Sequence, residues 1–492
     1  MDSCLTQQIP ISLPPWRKYS AAPKIAGYSN VSGITPILGK FFGKLPDSEG
    51  QIHSDELFAK VSTFQGSGPC IVETVARKKR DSFCKVTHLL EPIRSIQGYY
   101  VDPVKGERRR ADKLNNPSNQ AYVDGLASYL LGQLRERKIS PHFCIFYGAF
   151  QGVAESYRYN ITSEFESYRR YKMFWQCRRS GLFSLHIENS EEFANTPQSS
   201  LRSGKFNYST PCADDRSVVS LDGEVELDGT FGAVELESVG SMHTKSEESE
   251  ESESEDESEC TEDELSVFVE LKDTPVMMIF QERMSGVLDH MLEDDGTLVG
   301  AEPGTAEAEA RWIAWTFQII AALCAAQGAL GFTHNDLHTN NIVWKETEES
   351  WLWYKSRDGT VWRVPTYGKI FCLIDFGRSI FRVGEEWFIS DDYERGGDAH
   401  GQYNFGPTVS KEYPVVYPNP SFDLCRYAVS ILDALYDEEP MQRLDGAVLS
   451  KEGKWTIYET ESPFWNLLWS WMIDDRGRNI LREEDGTERF PD

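Results

Sequence analysis

The pattern of apolar and polar positions from about Phe64 to Val86 suggests two or three strands. Over 116–138 the period changes. Tyr122, Leu126, Leu130, Leu131 and Leu134 recur at helical spacing, with Ser118 placed to cap the start and Pro141 to stop the chain beyond the end. HFCIFYGAF (142–150) and PVMMIF (275–280) read as strands. The longest apolar stretch, 312–332, contains Gln318, Gln327, Gly328 and Gly331 after a charged lead-in, so it predicts a buried helix rather than a membrane span. WLWYKSRDGTVWRV (351–364) predicts a hairpin turning at Asp358-Gly359. KIFCLIDFG (369–377) opens as a buried strand, and 421–435 and 464–473 are helical.

Other segments are less regular. Residues 1–55 are rich in Pro, Gly and Ser with weak periodicity, which predicts an N-terminal arm that is either irregular and packed on the domain or partly disordered. Within 155–240, FESYRRYKMFWQCRRSGLF suits either a helix or a strand inside an insertion. KSEESEESESEDESECTEDELS (245–266) repels itself and predicts a disordered loop, read either as a plain solvated insertion or as a phosphorylatable, partner-binding tether. Residues 378–420, rich in Gly, Pro and Asp, look loop-like.

Composition narrows the classes. With 492 residues, 40% of them hydrophobic, the chain is long enough for a sizeable core. The formal charge is −28, and residues 247–264 alone supply ten Glu and two Asp. Without those twelve charges the remainder is still acidic, which disfavours nucleic acid and anionic membranes as partners. The ten cysteines are scattered without a CxxC pair or zinc spacing, which fits a reducing compartment. MDSCLTQQIPISLPPWRKYS lacks a charged start followed by an apolar run, so no secretory signal is expected. The expected location is the cytoplasm, with the nucleus or a virion as alternatives.

Chemistry concentrates in two strings, GFTHNDLHTNNIVW (331–344) and LIDFGRS (373–379). The first places Asp336 on a loop after the long helix, with Asn341 five residues on; the second places Asp375 at the end of an apolar strand. Phosphoryl transfer needs such a set: one carboxylate to take the acceptor hydroxyl's proton, and hard oxygen ligands to hold Mg²⁺ on phosphates. HNDLHTNN resembles the H-R-D-L-x-x-x-N catalytic loop of protein kinases, and IDFG resembles their D-F-G. That resemblance implies Asp336 as the catalytic base, Asn341 and Asp375 as metal ligands, and ATP and Mg²⁺ as cofactors. Asn335 replaces the usual Arg, which in the family often pairs with a phosphorylated activation segment, so this chain resembles kinases that do not need that switch. His338 replaces the usual Lys and is expected to approach the γ-phosphate as a neutral donor. The A-P-E string of the family is absent.

GSGPCIVETVARKKRDSFCKV (66–86) resembles the glycine-rich loop and third strand of a small kinase lobe. On that match Gly66 and Gly68 let backbone N–H groups approach phosphate, though Ile71 stands where the third Gly is usual. The same resemblance implies Lys85, 19 residues beyond Gly66, as the ATP-pairing lysine, with Lys78 and Lys79 as rivals; RKKR (77–80) otherwise reads as a hairpin turn or a nuclear signal. Its helical carboxylate partner is Asp124, with Glu136 as the alternative. QERMSG (281–286) resembles the hinge, with adenine on backbone groups near Gln281 and Arg283 and Phe280 lining the pocket. Asp423, in SFDLCRYAVSIL, fits the buried Asp that caps the catalytic-loop backbone.

Strings at 364–381, 390–407 and 486–492 resemble atypical Ser/Thr kinases encoded by large DNA viruses of eukaryotes. The resemblance implies an α+β, two-lobed protein-kinase-like fold: arm 1–55, antiparallel small lobe 56–280 with an insertion at 155–270, and mostly helical large lobe 281–492. The implied activity is phosphorylation of a protein substrate on Ser or Thr. The alternatives are a partner-binding pseudokinase and a small-molecule kinase of the choline or aminoglycoside type, which the HNDLH string also fits.

Overall fold

The structure, a computed structural model, describes residues 24–33, 58–63, 66–74, 76–188, 266–294, 296–356, 358–384, 386–394, 397, 399, 419–436, 439–443 and 459–473. The acidic run at 245–265, the terminal string at 486–492 and most of the N-terminal arm lie outside these residues.

The fold is mixed α+β. In chain order the first elements are β1 (Tyr28–Gly33), β2 (Phe58–Thr63), β3 (Gly68–Thr74), β4 (Lys79–His88), α1 (Pro92–Ile96), α2 (Lys105–Leu114), α3 (Gln120–Glu136) and β5 (Phe146–Asn160). They are followed by α4 (Thr162–Tyr168), α5 (Lys172–Arg179), β6 (Phe183–Glu188), β7 (Ser266–Glu282), β8 (Gly286–Val287), α6 (Asp289–Leu292) and α7 (Ala306–Leu330). The last are β9 (Ile342–Glu346), β10 (Trp351–Lys355), β11 (Val361–Pro365), β12 (Lys369–Leu373), β13 (Phe381–Val383), β14 (Glu386–Phe388), α8 (Pro420–Leu435) and α9 (Pro463–Trp471).

The main sheet runs β1-β5-β7-β4-β3-β2, and its pairs β1–β5, β7–β4, β4–β3 and β3–β2 are antiparallel. Two differences from the sequence reading stand out. Residues 28–33 of the arm are a strand at the sheet edge, and β5 and β7 are far longer than HFCIFYGAF and PVMMIF implied. RKKR (77–80) lies at the β3–β4 turn, where Arg77 adopts φ 58° and its N–H bonds the Thr74 carbonyl. Strand alternation then sorts the two faces. Cys70, Val72, Cys84, Met278 and Phe280 pack with Tyr147 and Phe150 on one face. Met277 and Ile279 point the other way, into the core that contains α3.

Helix α3 is buried along almost its whole length, from Ala121 to Leu134, because both its apolar stripes find partners. Asn119, one residue later than the expected Ser118, caps it by accepting the Ala121 N–H. Gly132 marks a close approach: a Cβ there would sit 3.0 Å from Phe146 Cβ and 3.2 Å from the Cys144 carbonyl.

Helix α7 is the expected long apolar helix, capped by Thr305 and closed by Gly331 at φ 59°. Its composition would suffice to cross a membrane, yet 56% of that window is buried inside the protein. Its Gln318 donates to the Lys369 carbonyl and accepts the Phe371 N–H, both at 3.0 Å. His142 bonds the Phe371 carbonyl through Nδ1, and its own carbonyl accepts the Leu373 N–H. Strand β12 lies at one end of the sheet β12-β9-β8, so these bonds occupy its outer edge. Hairpin β10–β11 turns at Gly359, φ 89°, as Asp358-Gly359 predicted. Its Tyr354 bonds His142 Nε2 at 2.9 Å.

A second compact unit is described over 158–188 and 266–271. FESYRRYKMFWQCRRSGLF forms α4, α5 and the start of β6, gathered around Phe174, which packs edge-on to Phe165 and Trp175. β6 pairs antiparallel with residues 266–271.

Candidate active site

The loop between α7 and β9 is held by bonds from its own backbone. The buried Asp423 carboxylate, one turn into α8, accepts the N–H groups of His334 and Asn335, each at 2.8 Å. This is the capping role that SFDLCRYAVSIL implied. Burial raises the Asp423 pKa. Asn335 adopts φ 64° and Asp375 φ 62°, a left-handed conformation uncommon without glycine. Around them the two loops are stitched together. His334 Nε2 bonds the Ile374 carbonyl at 2.9 Å, the Ile374 N–H bonds the Asn341 carbonyl at 3.1 Å, and Asn335 Nδ2 donates to the Arg378 carbonyl.

Lys85 projects from β4 on the same sheet face as Ile279 and meets two carboxylates. Its Nζ is 2.6 Å from Asp124 Oδ2 and 2.7 Å from Asp375 Oδ1. Asp124 also accepts the Phe376 N–H through Oδ1, so one α3 side chain ties β4 to the segment after β12. Burial works against the Lys85 ammonium, but the two carboxylates outweigh it and raise its pKa. Burial would also raise the Asp375 carboxyl; attraction to Lys85 outweighs it and holds that group low. Asp124 is pushed up by burial, and the like charge of Asp375 adds to this against the pull of Lys85. Glu136, the alternative partner, is the last residue of α3.

Asp336 sits among cations. Arg378 Nη1 lies 3.3 Å from its Oδ2, and Arg426 Nη2 lies 3.9 Å from its Oδ1. Asn341 Nδ2 donates to the Asp336 carbonyl at 2.8 Å and meets His338 Nε2 at 3.0 Å. Burial lowers the His338 pKa, with Arg426 adding to the effect against the pull of Asp336.

The donor set fits Mg²⁺. The Asn341 amide nitrogen is committed, which leaves its oxygen for a cation, and the Asp375 side chain is 41% exposed. Among the described residues no cluster of three or more His, Cys, Asp or Glu forms a complete cage.

Gly66 and Gly68 lie at the β2–β3 turn with φ 106° and 133°, and neither would meet an atom within 4 Å if a Cβ were added. Gly68 pairs with Cys84, the neighbour of Lys85. Phe280 requires correction. It follows Ile279 by one residue, so it faces away from Lys85 and packs edge-on to Phe150. The expected adenine-binding backbone is already engaged: the Gln281 carbonyl accepts from Ser82 Oγ at 3.0 Å, and the Arg283 N–H bonds the Asp81 carbonyl at 3.4 Å. A carbonyl keeps a second lone pair, and the Arg283 bond is long, so neither group is closed to a ligand.

The sequence reading missed Arg378 and Arg426. Arg378 directly follows IDFG, and Arg426 lies three residues after Asp423 on the same helical face. No family model and no curated protein matches the chain.

Proposed function

We propose that the chain is a two-lobed, protein-kinase-like phosphotransferase that moves the γ-phosphoryl group of ATP to a Ser or Thr hydroxyl of a protein. The observation that carries this reading is the Lys85 ammonium bridging Asp124 and Asp375. A third-strand lysine paired to a helix carboxylate beside a D-F-G aspartate is the arrangement that ATP-dependent phosphoryl transfer uses. Counted from β2, Lys85 stands on the third strand.

In this reading Lys85 exchanges Asp375 for the α- and β-phosphates, while Asp124 keeps it in place. Asp375 and Asn341 would hold Mg²⁺, which supplies neutralisation of phosphate charge. Asp336 accepts the hydroxyl proton as the hydroxyl oxygen bonds the γ-phosphorus. The bond from that phosphorus to the ADP oxygen breaks, and its electron pair leaves with ADP. Phe332 packs edge-on to Phe376, and His334 packs tilted against the same ring, which supports the loop that carries Asp336.

The test is incubation of the purified chain with labelled ATP, Mg²⁺ and a protein mixture, alongside amino alcohols. Label on protein, lost in Asp336→Asn while nucleotide still binds, is the expected result. Label on amino alcohols alone would move the chain to the small-molecule branch. Ile71 in place of the third glycine favours a second reading, a pseudokinase, whose signature is nucleotide binding with no transfer in the wild type.

A further inference from the structure

Two adjacent acids, Asp391 and Asp392, lie outside the proposed chemistry yet touch both halves of it. Asp391 is almost wholly buried and gathers three bonds. Oδ2 takes Lys113 Nζ at 2.7 Å and Asn116 Nδ2 at 3.0 Å, and Oδ1 takes the Gln120 N–H at 3.1 Å. Its own N–H bonds the Ser118 carbonyl at 2.7 Å. Gln120 is the first residue of α3, whose leading N–H groups have no partner within the helix. Asp391 thus supplies one such partner and places a negative charge where the helix dipole favours it. Asp124 lies one turn further along the same helix.

Asp392 works at the other end. Its Oδ2 accepts Arg378 Nε at 3.0 Å, and the far side of that guanidinium is the Nη1 beside Asp336. Tyr393 Oη and Asn335 Nδ2 both donate to the Arg378 carbonyl, so the backbone of the bridge is fixed as well. The start of α3 and the base at Asp336 are therefore both referred to one dipeptide, through short polar bonds.

We infer that Asp391 and Asp392 are positioning residues that seat Asp124 on Lys85 and aim Arg378 at Asp336 without any modification of the segment after Asp375. This rests on the phosphotransferase reading above. Each acid uses its permanent charge where an added phosphate would otherwise be required to gather cations. Lys113 is already held on Asp391, and Arg378 on Asp392.

The experiment compares wild type, untreated and after phosphatase treatment, with Asp391→Asn, Asp392→Asn, Asp392→Glu and Arg378→Ala. Treated wild type should keep its rate. Asp392→Asn should lower kcat about a hundredfold with nucleotide affinity unchanged, because a small displacement of aligned groups costs that much. Arg378→Ala should match it, the double variant should be no worse than either, and Asp392→Glu should recover part of the rate. Asp391→Asn should weaken nucleotide binding as well as kcat. Thermal midpoints confirm that the variants fold, and a merely structural role would move those midpoints without splitting kcat from affinity. The inference fails if phosphatase removes wild-type activity, or if both Asn variants keep full kcat. A wild type that transfers no phosphate in either state would overturn the phosphotransferase reading and this inference with it.

Discussion

Lys85 Nζ and Asp124 Oδ2 are 2.6 Å apart, and the second carboxylate within reach of the same ammonium leaves the trio with one excess negative charge. Removing the lysine would therefore set two acids against each other at a site where Asp124 is almost fully buried. Lys85→Met should lower the unfolding free energy by about 2–4 kcal/mol, near the lower part of the range for breaking a buried pair because Asp375 is half exposed. The variant should recover stability as pH falls. Its folded Asp124 holds a proton to higher pH than the unfolded chain does, so the stabilisation is present at low pH and lost as pH rises. Denaturant titrations at several pH values check this; a pH-independent loss would contradict it.

Asp423 serves two backbone N–H groups with its two oxygens. Asp423→Asn leaves one of them facing an NH₂ group, and Asp423→Ala leaves both unbonded. The expected losses are about 2 and about 4 kcal/mol, scaled from 1–3 kcal/mol per buried unsatisfied group. Chemical denaturation measures them. Equal losses in the two variants would show that only one bond matters.

His142 is fully buried and neutral, donating from Nδ1 to Phe371 and accepting from Tyr354 at Nε2. Burial lowers its pKa from 6.5 to about 4. The unfolded chain therefore binds a proton that the folded chain refuses between those values. The stabilisation is complete above the unfolded pKa and is lost as pH falls toward about 4. One such group accounts for about 3 kcal/mol across that window. His142→Asn should remove that share of the pH dependence of the unfolding free energy, leaving the comparable share of His88, which burial also lowers to about 4.

Gly132→Ala sets two effects against each other. Alanine gains about 1 kcal/mol in helix propensity. The new methyl meets Phe146 Cβ at 3.0 Å and the Cys144 carbonyl at 3.2 Å, and neither atom is on a flexible tip. Overpacking costs about 1–3 kcal/mol, so a lowered thermal midpoint is expected. A raised midpoint would mean that α3 and β5 separate easily.

What the sequence made legible was local. The hairpin at Asp358-Gly359, the long helix ending at Gly331 and the loop strings each depend on residues within a few positions of one another. Asn119 rather than Ser118 caps α3 because two good capping residues stand side by side, and only the observed turn chooses between them. Phe280 was misplaced for a related reason: an unbroken apolar strand has no polar alternation to mark which face each residue takes, and one residue reverses the answer. Strand β1 escaped notice because YSNVSG carries no apolar alternation. The bond between Asp391 and the start of α3 joins residues 271 positions apart, and nothing nearby in the chain announces it.

The bonds that Gln318 and His142 make to β12 reach further than local order. A terminal strand with bare N–H and C=O groups is a template on which another chain can add itself. Here the Lys369 carbonyl, the Phe371 N–H and carbonyl and the Leu373 N–H are taken by side chain or backbone from α7 and the 142 turn. The template at that margin is thereby covered, and Gln318 supplies two of the bonds that cover it.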